Sequence, residues 1–241
     1  MKASPSDQRS ILDIARFDQQ ANSLRHKAAN LPELAELASV TVKANNARDL
    51  RIAAETELND VKRELSRAEG DVEQIVTRIT RDEARLNGGS ASPKELEQLQ
   101  HEIATLKKRQ ESLEEIELEI MIRNDAVTAR RNTLTTDLAS LETLKTEINS
   151  RLTTATTEIN LLINEKLLAR KEVGVKIEQP LLDLYEKIRG ANGGVGAAPL
   201  VGNKCNGCNL AINAVEMERI KSLAKDELLR CEECRRILVR I

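Results

Sequence analysis

Four cysteines carry the most legible chemistry in this sequence. They stand as two C-x-x-C pairs, Cys205-Asn206-Gly207-Cys208 and Cys231-Glu232-Glu233-Cys234, with 22 residues between the pairs. Each pair can bend into a knuckle whose two thiolates face one ion. Two knuckles complete a tetrahedral sulfur shell, which suits Zn²⁺ at Zn–S distances of about 2.3 Å. The spacer exceeds the usual window of about 15–20 residues. A small inserted helix over 214–223, with Asn213 as its N-cap, accounts for the excess. Protein would fill all four metal positions, leaving none for water or substrate, which is the structural rather than the catalytic form of zinc. A short C-terminal segment has little core of its own, so metal binding is expected to supply much of its folding energy.

Other sulfur chemistry uses the same residues. A thiol redox pair of the thioredoxin type would need a surrounding βαβ pattern, which is missing. An iron or iron–sulfur centre also takes thiolate ligands. Spacing and closure favour structural zinc over both. Outside the cysteines, no Ser-His-Asp set, phosphate-cradling glycine loop or catalytic carboxylate pair is recognisable. His26 and His101 read as solvated helix residues. The chain is therefore expected to be non-enzymatic, with no small-molecule substrate.

Nucleic-acid binding would need clustered positive charge. From residue 201 onward there are eight basic residues and six acidic ones. Four thiolates and one Zn²⁺ add −2 and bring the balance to about zero. Arg235, Arg236 and Arg240 cluster in sequence, and with Lys204 they are the candidate nucleic-acid contacts. No aromatic residue is present there to stack a base. The residues themselves thus favour a protein-docking or purely structural ribbon.

The elements that must position these residues are helices. From Leu58 the apolar positions run Val61, Leu65, Ala68, Val72, Ile75 and Ile79, a mean period of 3.5 residues and the seam of a coiled coil. Upstream the pattern is weaker and Pro32 interrupts it, predicting a kink or short break with helix on both sides. Asn87-Gly88-Gly89-Ser90-Ala91-Ser92-Pro93 is the clearest punctuation: the glycines end one helix, Ser92 caps the next, and Glu95 closes a capping box. The second seam includes Leu99, Ile103, Leu106, Leu113, Ile116, Ile120, Val127, Ile148, Ile159 and Leu162. Equal arms over 7–86 and 93–172 predict an antiparallel hairpin, each arm roughly 120 Å long. Gly174 ends the second arm. A short helix over 180–189, a glycine-rich turn at 190–194 and a strand then lead to the cysteines.

The fold class expected is mainly α: a two-helix antiparallel coiled-coil hairpin over 1–174, turning near 87–92, followed by a small α+β zinc ribbon over 175–241. Composition agrees. There is no Trp, one Tyr and one Phe, while 32% of residues are charged, so a thick aromatic core is excluded and an elongated molecule is expected. The net charge of −2 excludes bulk basic binding. The first ten residues lack an apolar h-region and no run of 18 apolar residues occurs, so neither signal peptide nor membrane span is expected. A cytoplasmic location follows, where thiols stay reduced and serve as metal ligands.

The order of features resembles a known family. The helical hairpin, the Leu-x-x-Tyr-x-x-Ile-Arg segment from Leu182 to Arg189, the glycine-rich strand, and Cys205-x-x-Cys208 with Cys231-Glu-Glu-Cys234-Arg-Arg-Ile-Leu-Val are similar to the bacterial C4-type zinc-ribbon family with an N-terminal coiled coil. The resemblance implies a hairpin plus one zinc held by the four matching cysteines. Its members are described as candidate nucleic-acid-binding proteins, some linked to an alternative sigma factor and to flagella or secretion. The closed metal site, the long helical seam and the lack of a catalytic constellation point to an adaptor that binds a protein partner through the coiled coil and docks protein or nucleic acid at the ribbon, or alternatively to a protein scaffold or chaperone of the flagellar or secretion type found among the relatives. The resemblance brings no catalytic residues.

Overall fold

The computed structural model describes residues 1–89 and 92–241, so Ser90 and Ala91 of the anticipated turn lie outside the described residues. Among the described residues, five helices and four strands follow in order: α1 (Pro5–Ala29), α2 (Pro32–Asn87), α3 (Pro93–Gly174), α4 (Gln179–Ala191), β1 (Ala197–Val201), β2 (Lys204–Cys205), α5 (Ala214–Ser222), β3 (Leu229–Arg230) and β4 (Ile237–Arg240). Pro32 opens α2, so the break falls just before it, at Asn30 and Leu31. The chain gathers into two compact units, Glu36–Ile148 and Met1–Ala35 with Asn149–Ile241. Among the described residues, no helix is long and apolar enough to cross a membrane.

The unit Glu36–Ile148 is two antiparallel helices zipped on a narrow seam. Leu58, Val61, Ala68 and Ile79 of α2 are buried, as are Leu99, Ile103, Leu106, Leu113, Val127 and Ile148 of α3. Charged pairs flank the seam in antiparallel order: Arg48 with Glu142 (2.5 Å), Arg131 with Glu55 (3.4 Å), Arg130 with Glu57, Arg123 with Glu64, Arg78 with Glu102, and Lys107 with Glu83 (2.7 Å). These side chains are largely exposed, so each pair adds at most about 1 kcal/mol and chiefly fixes register. The box that starts α3 is closed: Ser92 N–H donates to Glu95 Oε2 at 2.8 Å, and Glu95 N–H to Ser92 Oγ at 3.4 Å. Ile116, expected in the seam, is 44% exposed.

The other unit is built around a four-stranded sheet of order β2-β1-β4-β3. β1 and β4 run parallel, with Ala197 opposite Ile237 and Leu200 opposite Arg240, while β2 and β3 pair antiparallel at the edges. Strand side chains alternate between faces, and here both faces are covered. Ala197, Ile237 and Val239 join Ile11, Ile14 and Ala15 of α1 and Leu181, Tyr185 and Ile188 of α4 in one core. Ala198, Leu200 and Leu238 face the other way and pack with Ile220 of α5 and with the cysteines. The end of α1, with Leu24 and Ala28, and Leu31 of the break after it pack with Ile159 and Ile163 of α3. Ile163 takes the buried place expected of Leu162, which is 44% exposed. A 3.6-residue helix drifts against a 3.5-residue repeat, and that drift moves the seam by one position.

The N-terminus is tied to the segment that leads into β3. Ala3 N–H donates to the Asp226 carbonyl at 2.8 Å, Leu228 N–H to the Met1 carbonyl at 3.2 Å, and Lys2 pairs with Asp226 at 3.0 Å. Buried Gln8 closes the tie by donating from Nε2 to the carbonyls of Ala3 (2.9 Å) and Lys225 (3.0 Å).

Candidate metal centre

The two C-x-x-C segments fold into matching knuckles. Cys205 N–H donates to the Leu210 carbonyl (3.1 Å) and the Cys205 carbonyl accepts from Asn209 N–H (2.8 Å). In the second knuckle, Cys231 N–H donates to the Arg236 carbonyl (2.9 Å) and the Cys231 carbonyl accepts from Arg235 N–H (3.0 Å). The residue after each second cysteine turns the chain through left-handed backbone, at φ 60° for Asn209 and 61° for Arg235. Asn tolerates that conformation well; Arg does so only when the surrounding turn imposes it. Gly207 is required by space: a Cβ there would stand 2.8 Å from Arg236 Cδ and 2.9 Å from Ala198 Cβ.

This folding brings all four sulfurs within 4.8 Å of one another. Cys205 Sγ lies 3.8 Å from Cys234 Sγ, and Cys208 Sγ lies 3.8 Å from Cys231 Sγ. A tetrahedron with Zn–S bonds of about 2.3 Å has sulfur–sulfur edges of about 3.8 Å. No cysteine is disulfide-bonded. The geometry therefore fits a single tetrahedral ion. Cys205 and Cys231 are buried, and Cys208 and Cys234 half-buried. Burial pushes the Cys205 thiol up to about 12 and raises that of Cys231, because a buried thiolate lacks solvation. Burial acts in the same direction on Cys234, but hydrogen bonds from the Arg236 main chain, Cys231, the Arg236 side chain and Cys205 together outweigh it, leaving the thiol lowered. A bound dication supplies the countercharge that a buried thiolate shell needs. Main-chain N–H groups of Gly207 and Cys208 also face Cys205, and those of Glu233 and Cys234 face Cys231, stabilising the ionised sulfurs.

The four candidate phosphate-contacting cations separate into two kinds. Lys204 and Arg235 are exposed. Arg236 instead lies across the first knuckle, donating from Nε to the Val195 carbonyl, from Nη1 to that of Gly207 and from Nη2 to that of Asn192, each at 3.0 Å. Arg240 likewise donates to the carbonyls of Ala224 and Ile220, both at 3.1 Å. Arg236 thus fastens the knuckle to the glycine-rich turn, and Arg240 fastens β4 to the end of α5.

One charged cluster escaped the sequence reading. Asp18 is 1% exposed, with Tyr185 Oη donating to it at 2.7 Å and Arg170 Nε at 2.8 Å, and with Arg189 Nε in an ion pair at 3.1 Å. Glu186 pairs with both arginines. The cluster joins α1, the end of α3 and α4, the elements behind the sheet. The signal was a periodic one: Asp18 occupies the core-facing place between Ile14 and Ala21, where an apolar residue would stand.

Helical hairpin and four-thiol ribbon together define a class, the coiled-coil-hairpin zinc-ribbon proteins, and the ribbon's gathered cysteines suit one structural zinc. Residues 14–193 match the CT398-like coiled coil hairpin domain and residues 204–238 the C4-type zinc ribbon domain, and the chain belongs to this bacterial family. An uncharacterised Mycobacterium tuberculosis protein is 34% identical over 245 residues, covering 100% of this chain and 98% of that protein. A Mycobacterium leprae protein is 27% identical, covering 91% and 94%. Among solved structures, a Mycobacterium smegmatis protein superposes with a TM-score of 0.89 at 32% identity, covering all of both chains. CT398 from Chlamydia trachomatis shares the fold with a TM-score of 0.70 at 21% identity over 98% of each chain.

Proposed function

We propose that the protein is a non-enzymatic adaptor in which residues 1–174 present a helical docking surface to a protein partner. Residues 175–241 form a metal-braced domain in which Cys205, Cys208, Cys231 and Cys234 together bind one structural zinc. The observation that carries this reading is the fate of the ribbon's cations. Arg236 and Arg240 are spent on main-chain carbonyls, so only Lys204 and Arg235 of the four remain free to meet phosphate. Each neutralised phosphate contributes a salt-dependent increment, and two increments make a weak, non-specific binder. The hairpin, in contrast, leaves several large apolar side chains in solvent, among them Val42, Leu50, Leu118 and Ile122. Surfaces of that kind favour protein contacts.

The test is affinity capture from extract of the cell of origin with the zinc-loaded full chain, one half nuclease-treated. The adaptor reading expects one defined protein in both halves, retained by Lys204→Ala/Arg235→Ala. Capture of nucleic acid alone, lost on nuclease treatment or in that variant, would contradict it.

A further inference from the structure

One face of α3 carries apolar side chains that have no place in the seam. At 3.6 residues per turn, Leu113, Ile120 and Val127 fall on the side turned towards α2; Leu113 and Val127 are buried and Ile120 half-buried. Leu118, Met121 and Ile122, spaced i, i+3 and i+4, fall on the opposite side. They are 57%, 46% and 63% exposed. Isolated exposed apolar residues need no explanation, but three forming one continuous patch on a charged helix do.

Charge frames this patch. Glu111, Glu114 and Glu115 lie on the same outward face one to two turns before it, and Asp125 one turn after it; all four are exposed. Between Gln110 and Ile122 there are five glutamates and no Lys or Arg. Across the seam, α2 adds Glu69, Asp71 and Glu73, again with no basic residue from Ala68 to Thr77. The ladder of cross-helix ion pairs stops at Arg123–Glu64 and resumes at Arg78–Glu102. Among the described residues, no ion pair involves any carboxylate of this interval. The seam is also thin here: from Glu69 to Arg78, α2 buries no side chain. The interval thus combines an unneutralised negative field with an apolar stripe, at some expense to the hairpin's own stability.

We propose that this face docks a helical segment of a partner protein that presents an apolar stripe flanked by Lys and Arg. The proposal rests on the adaptor reading above and gives it a place and a partner chemistry. A stripe at i, i+3 and i+4 is the spacing by which one helix reads another. The surrounding carboxylates select a basic partner and speed its encounter. The same carboxylates repel nucleic acid and anionic lipid.

The probe is a fluorescent synthetic peptide with Leu at i, i+3, i+4 and i+7 and Lys elsewhere. It is compared with a scrambled peptide of equal composition, by anisotropy against the zinc-loaded full chain over a range of salt. The striped peptide is expected to bind about tenfold more tightly than the scrambled one. Leu118→Ser/Met121→Ser/Ile122→Ser is expected to lower its affinity about tenfold. Glu111→Gln/Glu114→Gln/Glu115→Gln is expected to weaken it and flatten its salt dependence, while Glu158→Gln/Glu165→Gln leaves it unchanged. Circular dichroism checks that each variant keeps wild-type helicity. Equal binding of the scrambled peptide, or full affinity in the serine variant, would overturn the proposal. So would a dimer, seen by sedimentation, that the serine variant dissociates, since the occupant would then be a second copy. If the serine variant still captures the same nuclease-resistant protein as wild type, this face is wrong while the adaptor reading stands.

Discussion

At the residue scale, the cysteines and the arginines beside them have distinct duties that substitution separates. Cys205→Ser is expected to abolish stoichiometric zinc binding and to unfold the ribbon, a loss on the order of several kcal/mol, read by zinc release and urea denaturation. Arg236→Ala leaves three main-chain carbonyls without their donor and is expected to cost about 2–4 kcal/mol. Lys204→Ala, on an exposed edge, is expected to change stability by less than about 0.5 kcal/mol. Arg235 is held at positive φ, so Arg235→Asn should stabilise the protein by about 0.5 kcal/mol. A stability loss in Arg235→Asn would show that its side chain, not its backbone, matters to the knuckle. Four cysteines and their spacing were enough to read the metal site, because a tetrahedral thiolate shell has few sequence solutions. The duty of Arg236 was not legible. Its acceptors, Asn192, Val195 and Gly207, lie 29–44 residues away, and no local pattern marks a guanidinium that bonds to distant carbonyls.

At the scale of elements, helix ends and periods were legible because they depend on local chemistry. Ser92 and Glu95 close their box, and Asn213 caps α5 by accepting from Glu216 N–H at 2.7 Å. The partner of α1 was not legible. Its apolar residues continue the heptad-like pattern, yet Ile11, Ile14 and Ala15 pack on the sheet and α4. A seam pattern specifies a buried face, not what covers it. The Asp18 cluster locks this arrangement. Asp18→Ala is expected to cost about 3–5 kcal/mol, since it breaks a buried pair, leaving Arg170 and Arg189 with Glu186 alone and the Tyr185 hydroxyl without its acceptor. Burial alone would raise the Glu186 carboxyl, but Arg170 and Arg189 hold it below the usual carboxylate range. Its contribution is therefore complete above the unfolded carboxylate range and is lost as pH falls through the lowered folded value. Urea midpoints of wild type and Glu186→Gln should accordingly differ near neutral pH and converge as the pH is lowered into the acid range.

At the scale of the molecule, zinc in the thiolate site is expected to brace a sheet with two covered faces. β4 makes this concrete: Leu238 packs with the cysteines, while Ile237 and Val239 pack with α1 and α4. A strand loosened on one face cannot hold its packing on the other, because close-packed interiors transmit displacement. Zinc occupancy should therefore be felt in α1, far from the cysteines in sequence. Hydrogen exchange on the full chain, zinc-loaded and after chelation, measures this directly. Chelation is expected to speed exchange over 197–240 and, with it, over 8–15 of α1, while the seam amides around Leu58 and Val127 stay as protected as before. Unchanged exchange across the ribbon after complete zinc removal would contradict this expectation.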